Sequence, residues 1–134
     1  MANQLYPKGR QKFLEGGIAW LTDTIKAMLV DTADYTFSTA HEFLSDVPAA
    51  AREETSAALA SKTSTDGVAD TADVTFTAAA GDPCEAVVIY KDTGVATTSP
   101  LIAYIDTATG LPVTLNGGDV NVAWDNGANK IFKL

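Results

Sequence analysis

Apolar residues in this chain come in short runs separated by Asp, Thr, Gly and Asn, and most runs alternate with the period of a strand. In TIKAMLVD, residues 24 to 31, Ile25, Ala27 and Leu29 share one side and Met28 and Val30 the other, which predicts a strand. DVTFTAA, residues 73 to 79, predicts another, with Val74, Phe76 and Ala78 inward and Thr75 and Thr77 outward. EAVVIYK (85 to 91) and LIAYID (101 to 106) are apolar on both faces, so they are predicted as central strands covered on two sides. GDVNVAW (118 to 124) alternates with Val120, Val122 and Trp124 inward. Asn126-Gly127 then signals a turn, and ANKIFKL is predicted to return as the last strand.

Two segments read as helical. In YPKGRQKFLEG, residues 6 to 16, Pro7 suits a first turn and Gly16-Gly17 a stop, with Phe13 and Leu14 able to face the core. TAHEFLSD, residues 39 to 46, reads as a short helix between Ser38 as a cap and Pro48. Residues 49 to 62 pull in two directions. AAAREETSAALA has high helix propensity, whereas TSAALASKT alternates weakly into the turn Asp66-Gly67, and a strand is expected over 55 to 62. The sum predicts one domain over residues 1–134. It is mainly β: a small antiparallel β-sandwich or half-open barrel with one or two short helices.

Composition narrows the function. The chain has 134 residues, 46% hydrophobic and 19% charged, enough for one real core. The net charge of −8 rests on nine Lys and Arg, so a nucleic-acid surface, which must displace counterions with clustered basic groups, is not expected. Four of those cations (Lys8, Arg10, Lys12 and Lys26) fall in the first 26 residues. A single cysteine, Cys84, allows no intrachain disulfide or cysteine metal cluster and suits a reducing cytoplasm. No apolar run has membrane-span length, and MANQLYPKGRQKF lacks the apolar core of a signal peptide, so no membrane association or export by that route is expected.

The most pointed chemical signal is Asp92-Thr93-Gly94, the tripeptide with which aspartic proteases present a carboxylate. Asp-Thr, however, occurs five times, mostly at the edge of an apolar run, where both side chains accept bonds from backbone N–H groups as a ladder stops. A protease dyad needs two carboxyls sharing a proton over an apolar floor, yet Lys91 precedes Asp92. Asp92 is therefore read as the end of a strand. His41 is the only histidine, with no second ligand for a zinc-protease pattern, and is read as a partly buried ring near Phe43. Cys84 is read as a structural thiol, and Asn116-Gly117-Gly118-Asp119 as a hairpin turn. Trp20, Trp124 and the tyrosines could stack on sugar rings, but Trp124 lies in phase with Val120 and Val122, which favours a core role. No catalytic residue, cofactor or metal ligand is assigned.

Four stretches carry a resemblance: DTIKAMLVDTADYTFSTAHEFLSDVP, ALASKTSTDGVADTADVTFTA, VVIYKDTG with TSPLIAYIDTATGLPVTLNGGDVNV, and WDNGANKIFKL. Together they resemble a group of small virion structural proteins of tailed bacteriophages and prophages, over nearly the whole chain. The resemblance implies a part of the virion, assembled in the host bacterial cytoplasm, rather than a reaction. The favoured expectation is a capsid decoration, or cement, protein. It would bind the major capsid protein on the outer head as a homo-oligomer, with tail, baseplate or fibre proteins as the alternative partners. Residues 2 to 14 are the expected contact: Lys8, Arg10 and Lys12 concentrate positive charge in an acidic chain, with Tyr6 and Phe13 as anchors. Ser38 to Pro48 is the second candidate.

Overall fold

The computed structural model describes residues 3–125, 127 and 130–134. Met1, Ala2, Asn126, Ala128 and Asn129 lie outside them, and with them part of the expected 126–127 turn and the first residues of ANKIFKL. The chain is mainly β. Its strands are β1 (Gln4–Leu5), β2 (Ile25–Val30), β3 (Arg52–Thr55), β4 (Val68–Ala69), β5 (Val74–Phe76), β6 (Ala86–Lys91), β7 (Leu101–Ile105), β8 (Val120–Val122) and β9 (Phe132–Lys133), with one α-helix, α1 (Pro7–Leu14).

Five strands form an antiparallel sheet in the order β1-β7-β6-β2-β3. Its centre is the doubly apolar β6, which pairs with β2 from Ile25↔Lys91 to Val30↔Ala86 and with β7 from Val87↔Ile105 to Tyr90↔Leu101. The expectation that 85–91 and 101–106 are covered on both sides holds, as Ala86 to Tyr90 and Leu101 to Ile105 are all buried. The period-two reading of β2 holds too. Ile25, Ala27 and Leu29 join one core and Met28 and Val30 the other. The first core is closed by two ribbons, β5–β8 and β4–β9, whose Val74, Phe76, Val122 and Phe132 pack in the same cluster. The second is closed by the connection 31–51 through Tyr35, Phe37, Leu44, Val47 and Ala51.

Helix α1 begins as its sequence suggests, with Pro7 in the first turn, where a missing N–H costs nothing. It stops at Gly16, whose φ of 77° suits glycine. Gly9 is buried in mid-helix because the helix lies on β7: a Cβ there would sit 2.5 Å from the Leu101 carbonyl oxygen. The β6–β7 register shifts beside this contact, between Ile89 and Tyr90, so that Ile102 and Ala103 both enter the first core.

Several expectations are corrected. Residues 39 to 46 form no α-helix, only a 3-10 turn at Leu44–Asp46. Their backbone is drawn to the next segment instead: Leu44 N–H donates to Ser99 O and Leu101 N–H to Glu42 O. The strand expected at 55 to 62 lies at Arg52–Thr55. Beyond it the chain still follows β2, but irregularly, with Ser56 N–H on Ala27 O and Leu59 N–H on Ile25 O. Ala78 points outward at a φ of 50° and Ala79 is buried in its place, because the strand ends at Phe76 and turns. β9 pairs with β4 rather than with 118–124, and Asn116–Asp119 closes the β5–β8 ladder instead of a hairpin, with Ala79 N–H on Gly118 O. Leu14, expected inward, is 90% exposed, whereas Phe13 is partly buried against Phe132 at a ring separation of 6.0 Å.

Candidate functional site

Asp92 follows directly on β6, and its surroundings are those of a strand end. One carboxylate oxygen accepts from Gly94 N–H at 2.9 Å and the other meets Lys26 Nζ at 2.7 Å. The Thr93 hydroxyl lies 2.6 Å from that of Thr98 and 3.1 Å from that of Ser99. The Lys26 ammonium, helped by Gly94 N–H, holds the Asp92 carboxyl below its ordinary range. An acid-protease dyad requires the opposite, a carboxyl that retains a proton.

The other chemically suggestive side chains are also tied into the fold. His41 is partly buried, and its ring partner is Tyr35: Nδ1 lies 2.9 Å from the Tyr35 hydroxyl and the ring centroids are 5.4 Å apart. Cys84 is buried, and burial, reinforced by Glu53 and other acidic neighbours, pushes its thiol up to about 12, far from a reactive thiolate. Trp20 and Trp124 are core residues whose indole N–H groups donate to Thr63 O and Ala72 O. They present no stacking face for a sugar. Asp31, Glu53 and Asp82 place carboxylate oxygens within 4.8 Å of one another, the one acidic group of metal-binding dimensions among the described residues. Their oxygens also hold backbone, Asp31 accepting from Ala33 N–H and Glu53 from Asp82 N–H.

The expected partner contact divides. Lys8 and Arg10 are exposed on α1. Lys12 is turned inward, 3.1 Å from a Glu42 carboxylate oxygen and 5.3 Å from the Phe43 ring centroid. This joins the two candidate segments, 2–14 and 38–48, into one surface. Tyr6 is corrected outright: at 0% exposure it anchors the fold, not a partner. Its hydroxyl lies 2.7 Å from that of Tyr35, and its ring 4.8 Å from that of Phe37. Phe13 is largely committed to the core. The exposed apolar group on this helix is Leu14, which helical spacing places beside Arg10. A sequence reading misses it because Phe13 and Leu14 are equally apolar, and only the direction of Gly9 toward β7 decides which turns in.

The chain matches no protein-family model and no curated protein. No helix among the described residues is long and apolar enough to cross a membrane.

Proposed function

We propose that this protein is a structural component of a tailed-bacteriophage particle, and that it is a capsid decoration protein bound to the outer head shell. The observation that carries the contact is α1 itself. Gly9 seats the helix firmly on β7, and from that rigid base Lys8, Arg10 and Leu14 project out of a chain with net charge −8. Exposed cations around an exposed leucine suit an acidic, partly apolar patch on a shell subunit. The particle assignment is supported by the resemblance of the four sequence stretches to virion structural proteins. Buried, bonded indoles and an ion-paired Asp92 weaken the sugar-binding and protease alternatives.

Copy number in purified virions, measured by quantitative mass spectrometry against the major shell protein, tests the reading. A ratio near that of the shell protein is expected. A low, reproducible ratio would move the protein to the tail or baseplate, and absence from particles would overturn the structural role. Lys8→Glu with Arg10→Glu is the cleaner charge reversal, because Lys12 also serves an internal ion pair. Reduced occupancy is expected, and unchanged occupancy removes α1 as the contact.

A further inference from the structure

The turn at 116–119 closes the β5–β8 ladder and carries one of the two Asn-Gly pairs of the chain. An asparagine side chain before glycine is open to attack by the next backbone nitrogen, because glycine has no Cβ to stand in the way. Here the pair is exposed, and beyond its chain neighbours no heavy atom lies within 4 Å of the place a Gly117 Cβ would occupy. The two reacting groups are held differently. Asn116 Oδ1 accepts from Gly118 N–H at 3.0 Å. That donor polarises the amide and already sits where an oxyanion would form on addition to Cγ. The nitrogen that must attack is committed elsewhere: Gly117 N–H donates to Ala79 O at 2.7 Å. Ala79 is fully buried in the first core, so its carbonyl is a fixed partner. Two further bonds fasten the same turn, Ala79 N–H to Gly118 O and Ala78 N–H to Asp119 Oδ1, each at 2.9 Å.

We propose that Asn116 is a spontaneous modification site, and that release of Gly117 N–H from Ala79 O gates its conversion to aspartate and isoaspartate. Once released, the Gly117 nitrogen gives its proton to hydroxide and bonds to Asn116 Cγ. The Cγ–amide bond breaks, ammonia leaves, and a succinimide ring remains. Water then opens either ring carbonyl, so the net change is one water consumed, one ammonia released and one negative charge gained. The aspartate product keeps the main chain and an acceptor for Gly118 N–H. The isoaspartate product routes the main chain through the side chain and lengthens it by one carbon before Gly117. Gly117 N–H and Gly118 O can then no longer both meet Ala79. The 78–82 turn is thereby loosened on one side, while Glu54 and Glu53 of β3 still hold Ala80 N–H and Asp82 N–H on the other. The inference stands apart from the particle assignment, since it concerns the chain alone.

The test incubates the full chain at mildly alkaline pH, folded and in urea, and follows Asn116 by peptide mapping that separates it from Asn126. Isoaspartate is read with an isoaspartyl methyltransferase, and the opening of Gly117 N–H by hydrogen exchange. Both products are expected from the folded chain, at a rate at least about tenfold below that in urea, because attack waits on local opening. Asp119→Ala removes the acceptor of Ala78 N–H. It should raise Gly117 exchange and Asn116 conversion in the folded chain by the same factor, and leave the rate in urea unchanged. Conversion as fast folded as in urea, Gly117 exchange that rises without conversion following, or no product from the folded chain would overturn the proposal. If Asp119→Ala fails to fold, a series of urea concentrations below the unfolding transition varies the opening of the unaltered chain and decides it by the same proportionality.

Discussion

On one face of the central sheet, Ile25, Leu29, Val87 and Ile89 meet the β5–β8 and β4–β9 ribbons. On the other, Met28, Val30, Val88 and Tyr90 meet the connection 31–51, which has almost no regular structure. The ribbons satisfy their own backbone groups by pairing, so that face is closed mainly by apolar side chains. The connection cannot do so, and its polar groups need partners from elsewhere. Tyr6, Tyr35 and His41 therefore form a hydrogen-bonded chain inside that layer. Asp46 accepts from the backbone of Glu42 and Phe43, and Ser99 O receives Leu44 N–H. The same sheet thus has a ribbon-covered face whose indole N–H groups, those of Trp20 and Trp124, each donate to one backbone carbonyl, and a loop-covered face held by packing and a connected chain of side-chain bonds.

The largest expected effect is on the ribbon-covered face. Phe76→Ala, at a residue 1% exposed, should cost about 3–5 kcal/mol in urea unfolding, as ring burial is lost and a cavity remains. Tyr6→Phe probes the other face by deleting only a hydroxyl; Tyr35 keeps His41, so the expected cost is about 1–2 kcal/mol. A Tyr6→Phe cost equal to that of Phe76→Ala would break the distinction between the faces.

Alkaline titration sharpens the same contrast. Burial raises the Tyr6 phenol far above its ordinary value and pushes Tyr35 up to about 12. Both hydroxyls keep their protons more tightly folded than unfolded. Their contribution is therefore fully present below the unfolded value of about 10 and is lost as pH rises through the folded values. Cys84, also raised to about 12, acts in the same sense from about pH 9. Wild-type Tm should fall above about pH 10, and Tyr6→Phe should flatten that fall. An unchanged slope would remove the tyrosine chain as its cause.

The smallest effect is expected at the sheet's end. Lys26 lowers the Asp92 pKa, and Asp92 in turn raises that of Lys26. The carboxylate's contribution is present above its unfolded value of about 3.9 and is lost as pH falls through the lower folded one. With both side chains about a quarter exposed, solvent screens the pair, and Asp92→Asn should cost less than about 1 kcal/mol near neutral pH. Thermal melts between pH 3 and 7 at low and high salt check this; a larger, salt-independent loss would mean that Asp92 does more than end a strand.

Strand identity was legible wherever a run was long and either alternating or apolar throughout, as in β2, β6 and β7. β2 placed its side chains on the faces read from period two, whereas β7 breaks the alternation where Ile102 and Ala103 both enter one core. Short strands were not legible. Gln4–Leu5 and Val68–Ala69 are two residues each, too few to show a period, and they exist because β7 and β9 offer them edges. The 39–46 segment has the composition of a helix but sits against Ser99 to Leu101, whose backbone takes its bonds. Of the contact residues, Lys8 and Arg10 could be read from charge clustering. Tyr6 could not, because an aromatic beside basic residues looks alike as a surface anchor and as a core ring.

The sequence by itself determined the mainly β character, the central strands, their two apolar faces and the start of α1. These depend on local periodicity and on the fixed geometry of Pro and Gly. Only the tertiary structure decided which strand borders which, that Tyr6 is sealed while Leu14 is open, and that Tyr35, Glu85, Tyr104 and Asp106 share one cavity. The reason is physical: burial and neighbourhood are set by contacts between segments distant in the chain, and no local spacing records them.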